Sequence, residues 1–256
     1  MELRDFSYDV IRRSELFAEV MSVCLTLLKH SDCAEPVRNY LKTRIPNDIN
    51  GFSFGYFPNN DNINLLFQFI PHETLEKLGL VYKKFIYDSG CSETIYHGVL
   101  SDQNLVMPYK NVYGDIVGLV GRRISDDKTI SKYKNTSMLK GMNLFGIYEA
   151  KNYILEKDSV IVVEGQFDCI TCHRYGFRNT VALGGSAFTK FHFNLINRYT
   201  NNIKLLLDND FAGIRERNKI LKRYGDLANI SSIHLSDCYK DIDEYLRNNH
   251  DHSLLE

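Results

Sequence analysis

Three short apolar runs in this chain each lead into carboxylates. Glu164 follows Ser159-Val-Ile-Val-Val163 directly, and Asp208 and Asp210 follow Ile203-Lys-Leu-Leu-Leu207. Asp241 and Asp243 come a few residues after Ile233-His-Leu235. Like charges gathered a few Å apart raise one another's pKa unless a cation compensates. Hard oxygens from Asp and Glu are what Mg²⁺ or Mn²⁺ takes. Asp208 and Asp210 are two apart, so on an extended chain both point the same way. Any one of these acids also reads as a helix N-cap. The three clusters together read as a divalent-metal site.

The elements that must position these acids are legible as alternating patterns. The apolar runs predict strands near 160–163, 180–183, 203–207 and 231–235. Segments of helical length lie between them, at 166–175, 187–199 and 212–224. Such alternation implies right-handed βαβ crossovers and a parallel sheet. All three acidic clusters then fall past the carboxyl ends of strands, the edge at which open α/β sheets place ligands.

The rest of the chain has an ordinary globular composition. Of 256 residues, 44% are hydrophobic and 25% charged, and the net charge is −1. Any attraction for nucleic acid must therefore come from a local patch. The apolar stretch at 20–28 is too short to span a bilayer and lacks a signal-peptide layout, which implies a cytosolic protein without a membrane anchor. Six scattered cysteines do not read as a disulfide framework. Cys169-Ile-Thr-Cys172-His173 matches a haem-attachment pattern but lies in an expected helix, and no set at zinc spacing implies structural zinc.

Apolar positions at 16, 17, 20, 23, 24, 27 and 28 predict a long amino-terminal helix, and Pro36 opens a short second one. The aromatic run Gly51–Phe57 reads as packing in preference to a base-stacking platform. A short helix is expected over 72–79, an irregular hairpin or loop over 83–104, and a β-hairpin from Leu105–Tyr109 to Ile116–Gly121. Arg122, Arg123, Lys128, Lys132, Lys134 and Lys140, interleaved with Tyr133 and Asn135, form the local basic block. These residue types suit phosphate and base contact.

Glu164-Gly-Gln-Phe-Asp168, Asp208-Asn-Asp210-Phe-Ala-Gly213 and Lys240-Asp-Ile-Asp-Glu244 resemble, in order, the three motifs of the Toprim domain, which primases, topoisomerases and small nucleases share. Leu183-Gly-Gly-Ser186 is similar to the primase pattern at that place. Upstream, Met107-Pro108, Gly114-Asp-Ile-Val-Gly118, Gly121-Arg122, Lys132-Tyr-Lys-Asn135 and Lys140-Gly-Met-Asn-Leu-Phe-Gly-Ile-Tyr-Glu-Ala150 resemble the basic subdomain of DnaG-like primase cores. The likeness runs from about residue 36 to 247.

The resemblance implies an α/β protein with a mixed α+β basic subdomain over 1–156 and a Toprim domain, a parallel sheet flanked by helices, over 157–256. It implies primer RNA synthesis on single-stranded DNA from ribonucleoside triphosphates, with two or more Mg²⁺ or Mn²⁺ ions. Glu164, Asp208 and Asp210 would be catalytic, and Glu164, Asp168, Asp208, Asp210, Asp241 and Asp243 would hold metal, Glu164 as ligand or general base. Arg122, Lys132, Asn135 and Lys140 would hold nucleotide and template. A replicative helicase or a separate zinc-binding protein are the implied partners. No amino-terminal zinc domain or carboxy-terminal helical subdomain is evident, which suggests a viral or mobile-element source. The rival readings are a Toprim-type nuclease and a catalytically idle DNA-binding subunit of a replisome. A topoisomerase is not expected, because no long region remains for a cleaving tyrosine and strand gate.

Overall fold

The computed structural model describes residues 3–45, 51–88, 91–138, 140–185, 187–236, 239, 241–248 and 255. Ser186 and Lys240, which belong to the motifs quoted above, lie outside the described residues. The chain divides into two compact units, Met1–Tyr109 with Asp115–Met138, and Lys110–Gly114 with Leu139–Glu256.

In the first unit, α1 (Leu3–His30) and α2 (Glu35–Arg44) precede a four-stranded sheet. Phe17, Val20, Met21, Cys24 and Leu27 recur at helical spacing and are buried, so α1 turns one apolar stripe inward. That stripe lies on β1 (Gly55–Tyr56). A Cβ on Gly55 would sit 2.7 Å from Cys24 Cβ, so only glycine admits this approach. Of the aromatic run, Tyr56 and Phe57 are buried and serve as packing, while Phe52 and Phe54 are half-buried. Two short helices, α3 (Asn64–Phe67) and α4 (His72–Lys77), lead to an antiparallel pair, β2 (Val81–Asp88) and β3 (Cys91–Gly98). This pair keeps a regular register from Val81↔Gly98 to Asp88↔Cys91, where the sequence suggested an irregular hairpin or loop. Lys83, Lys84, Phe85 and Ile86 are all exposed, so no inward face imposes the alternation that marks a strand. Next come β4 (Leu105–Lys110), β5 (Ile116–Arg122) and β6 (Tyr133–Asn135), in sheet order β1-β4-β5-β6.

The second unit is the alternating α/β part. It runs α5 (Ile147–Lys157), β7 (Val160–Val163), α6 (Gln166–Arg174), β8 (Thr180–Ala182), α7 (Lys190–Ile196), β9 (Asn202–Leu206), α8 (Phe211–Tyr224), β10 (Asn229–Ser232) and α9 (Ile242–Asn248). The sheet order is β10-β9-β7-β8, and every pair is parallel. Val160, Val162, Ile203 and Leu205 face one core with Ile147 and Ile154 of α5 and Ile196 of α7. Ile161 and Val163 point the other way and are also buried, so both faces of the sheet are covered.

Strand β10 starts and ends earlier than the apolar run at 233–235 suggested. It is an edge strand with Ser231 and Ser232 in the ladder, and an edge needs no apolar residues on both faces. By packing, α5 goes with the second unit, because Ile147, Ala150 and Ile154 are buried against the parallel sheet. The compact units therefore part after Met138, and the boundary expected from the resemblance, at 156, falls at the end of α5. The hairpin tip joins the same unit: Lys110 Nζ lies 2.8 Å from Glu149 Oε1, and Lys151 Nζ donates to Val112 O at 2.7 Å.

Candidate active site at the acidic sheet edge

Adjacent parallel strands bring the first two motifs together. Val163 of β7 pairs with Leu206 of β9, so both strands end at the same level. The chain beyond β9 folds toward β7, and the Asp208 backbone N–H donates to Glu164 Oε1 at 3.2 Å. Burial raises the Glu164 pKa above the usual carboxylate range. The charge of Asp208 raises it further, the Asp208 N–H lowers it in part, and Asp210 and Glu216 add smaller upward pushes.

Asp210 is the N-cap of α8, with Oδ1 accepting from Gly213 N–H at 2.8 Å. This cap fixes where α8 begins and aims its positive end at the carboxylates. Gly213 is wedged between them: a Cβ there would lie 2.2 Å from the Asp208 carbonyl oxygen and 2.8 Å from Glu164 Oε1. Beneath, Arg217 is buried and its Nη2 donates to Leu207 O at 3.2 Å, while Nη1 lies 3.0 Å from His234 Nδ1. Asn209 Nδ2 donates to Leu235 O at 2.9 Å. The turn carrying Asp208 is thereby tied both to α8 and to the segment after β10. Asn209 and Gly213 belong to the second motif, but Arg217 was not among the residues expected to build the site.

The remaining acids have visible local duties. Asp168 Oδ2 accepts from Gly165 N–H at 3.1 Å, closing the first turn of α6 next to Glu164. Asp241 Oδ1 accepts from Glu244 N–H at 2.9 Å at the start of α9. Asp243 is 3% exposed and accepts from Thr171 Oγ1 at 2.7 Å and from Arg247 Nη2 at 3.0 Å. It fastens α9 to α6. No three of His, Cys, Asp and Glu among the described residues converge closely enough to hold a metal ion. Of the six acids expected to hold metal, Glu164, Asp208 and Asp210 share one corner, while Asp243 is engaged inside the unit. A cation bound at that corner would relieve the burial and the neighbouring carboxylate charges that disfavour Glu164 as an anion.

The basic block is split between the units. Arg122 is buried in the first, where Nε donates to Tyr40 Oη at 2.8 Å, Nη1 donates to Tyr133 Oη, and the guanidinium lies over both rings. Lys132 is exposed, with its ammonium 5.7 Å from the Tyr133 ring centroid. Asn135 is half-buried on β6, and its Oδ1 has no partner among the described residues. Lys140 belongs to the second unit, in a 3-10 turn that His192 Nε2 holds by donating to Lys140 O at 2.9 Å. The Cys169-x-x-Cys172-His173 segment is buried in α6, and His173 Nε2 donates to Thr180 O at 2.8 Å. Burial pushes both thiols up, so they behave as small apolar groups there.

The model for the DNA primase catalytic core, N-terminal domain, matches residues 25–151, and a Toprim-like model matches residues 161–246. The chain belongs to the DnaG-like primase catalytic cores. It is 34% identical to the DNA primase of Aquifex aeolicus over 194 residues, which is 73% of this chain and 36% of that protein. Its fold superposes on a DnaG primase catalytic domain bound to ssDNA with a TM-score of 0.77 at 26% identity, covering 94% of this chain and 78% of the other. For the zinc-binding and RNA polymerase domains of the Aquifex aeolicus primase the TM-score is 0.73 at 27% identity, covering 92% and 57%. This primase core spans about a third of the length of the curated relatives it matches. No described helix is long and apolar enough to cross a membrane.

Proposed function

We propose that this core synthesises short RNA primers on single-stranded DNA from ribonucleoside triphosphates, in the cytoplasm and as part of DNA replication. The observation that carries the reading is the corner where Glu164 meets the Asp208 turn from the neighbouring parallel strand, with Asp210 at the start of α8. Glu164, Asp208 and Asp210 would hold Mg²⁺ or Mn²⁺, with Asp168, four residues beyond Glu164, and Asp241 of the third motif as further ligands. When bound, the ions supply charge neutralisation for the triphosphate and lower the pKa of the attacking 3′-hydroxyl.

The chain's own residues do the rest. Gly213 and Arg217 hold the Asp208 turn against Glu164, so the acidic groups need no reorganisation when charge develops. Glu164, with its raised pKa, is suited to serve as ligand or as general base. Lys132, Asn135 and Lys140 would contact nucleotide and template. Arg122, already engaged by Tyr40 and Tyr133, would set the shape of that surface. A replicative helicase, or a separate zinc-binding protein, would supply template selection.

The test is to incubate single-stranded DNA with labelled ribonucleotides and Mg²⁺ or Mn²⁺. New oligoribonucleotide supports the reading. Shortened DNA, or no product from a folded protein that binds DNA, overturns it.

A further inference from the structure

α8 carries a surface that the acidic corner does not use. Phe211, adjacent to Asp210, is 82% exposed, the highest value of any large apolar side chain among the described residues. Ile214, one turn on, is 44% exposed. With Arg215, Asn218, Lys219 and Lys222 they line an open depression of about 370 Å³. These positions are spaced by threes and fours, so they form one stripe along the helix. The stripe is about 16 Å long at 1.5 Å per residue. The opposite face of α8 is the one that packs, through Gly213, Arg217, Ile220 and Tyr224.

A lone exposed apolar residue requires no explanation. This one shares a stripe with three exposed cations. Lys219 does pair with Glu216 at 3.2 Å, but its side chain is 57% exposed. Such a surface pair contributes little and yields to a stronger anion. Aromatic surface beside a row of cations is the chemistry that binds single-stranded nucleic acid, bases on the ring and phosphates on the ammonium and guanidinium groups. Continuity decides between a nucleic acid and an acidic polypeptide: the stripe begins at the residue after Asp210, so a strand lying on it runs up to the carboxylate corner.

We infer that the α8 stripe from Phe211 to Lys222 is a contact for a single-stranded polynucleotide, with bases against Phe211 and Ile214 and phosphates on Arg215, Lys219 and Lys222. The inference rests on the primase reading and adds a strand path to it.

The test is the fluorescence anisotropy of a labelled 20-nucleotide oligo-dT with the full chain in EDTA buffer, titrated with salt. Thermal melting checks that each variant is folded. The triple variant Arg215→Ala, Lys219→Ala, Lys222→Ala should flatten the slope of log K against log salt by about 2, since each phosphate contact on a single strand contributes about 0.7. Phe211→Ala should weaken binding about tenfold and leave the slope unchanged. If both variants bind like wild type while Lys132→Ala weakens binding, the stripe is overturned and the primase reading stands. If the triple variant loses only a labelled oligoglutamate peptide, the surface belongs to an acidic protein and the inference fails. If the wild-type chain does not bind oligo-dT, both readings fall.

Discussion

Gly213→Ala isolates the geometry of the acidic corner from its chemistry, because it removes no charge and no hydrogen-bonding group. Two effects of opposite sign meet at this position. Within the first turn of α8, alanine is the better helix former by about 1 kcal/mol. Against that, its Cβ would lie 2.2 Å from the Asp208 carbonyl oxygen, where ordinary contact begins near 3.4 Å, and 2.8 Å from Glu164 Oε1. The close neighbour is backbone, not the end of a flexible side chain, so the Asp208 turn must retreat by roughly 1 Å. Overpacking of this kind costs about 1–3 kcal/mol. The net effect on stability is a loss of about 0–2 kcal/mol, or at most ~8 °C in melting temperature for a chain of this size. The effect on chemistry should be larger, because a displacement of about 1 Å of a catalytic group can cost ~100-fold in rate. Primer synthesis under saturating nucleotides, read beside thermal melting, separates the two. A variant that melts a few degrees higher than wild type and synthesises at the wild-type rate would refute the wedge.

Asp208→Asn and Glu164→Gln should abolish nucleotide transfer. They should leave oligo-dT binding in metal-free buffer intact or slightly stronger, since one negative charge is gone; retained synthesis in either would refute the assignment. Arg122→Ala should lower the melting temperature, because it empties a buried site and removes the guanidinium hydrogen bonds to the Tyr40 and Tyr133 hydroxyls. Lys132→Ala should leave melting alone and weaken DNA binding, and equal melting losses in the two would count against the division of roles. Burial lowers the His173 pKa to about 4, so the folded state disfavours its charged form. Its contribution is complete above the unfolded pKa of about 6.5 and is lost as pH falls from there toward 4, roughly 3 kcal/mol in all. In melting curves at pH 7 and pH 4.5, His173→Gln should lose less stability on acidification than wild type, and parallel losses would show that His173 is not the group protonated.

What could be read from the sequence was what burial imposes. Val160–Val163 is enclosed on both faces and the 203–207 run nearly so, with Lys204 half-buried, so their composition marks central parallel strands, and the acids at their ends follow from topology. Legibility fails where burial stops deciding. Ser231 and Ser232 sit in an edge strand, and Lys83–Ile86 lie on a hairpin with exposed side chains, so neither segment carries a periodic mark. Arg217 was hidden for a different reason. In Arg215-Glu-Arg-Asn-Lys219 it looks like one more solvated charge, yet Gly213, Arg217, Ile220 and Tyr224 recur at helical spacing and all are buried. The phase of the helix held that signal, and the local composition concealed it. Arg122 is the same case on a strand. It was grouped with the basic block by charge, although it ends β5, whose last five residues are all buried.

The choice between helix cap and metal ligand, open for each acid when taken singly, turns out not to be a choice for several of them. Asp168, Asp210 and Asp241 each accept one backbone N–H at the start of a helix. An ionised carboxylate has about four acceptor positions, so capping leaves capacity for a cation. Capping also fixes the rotamer, which removes entropy that metal binding would otherwise cost. Asp243 differs in kind. Its oxygens are taken by Thr171 from α6 and by Arg247 from its own helix, inside a contact that holds α9 in place. Asp243 is buried while Arg247 reaches solvent, so replacing the carboxylate costs mainly the buried hydrogen bond with Thr171 and leaves that hydroxyl without it. Loss of activity at Asp243 therefore reports first on the docking of α9, and through it on where Asp241 stands, whereas loss at Glu164 reports on the corner itself.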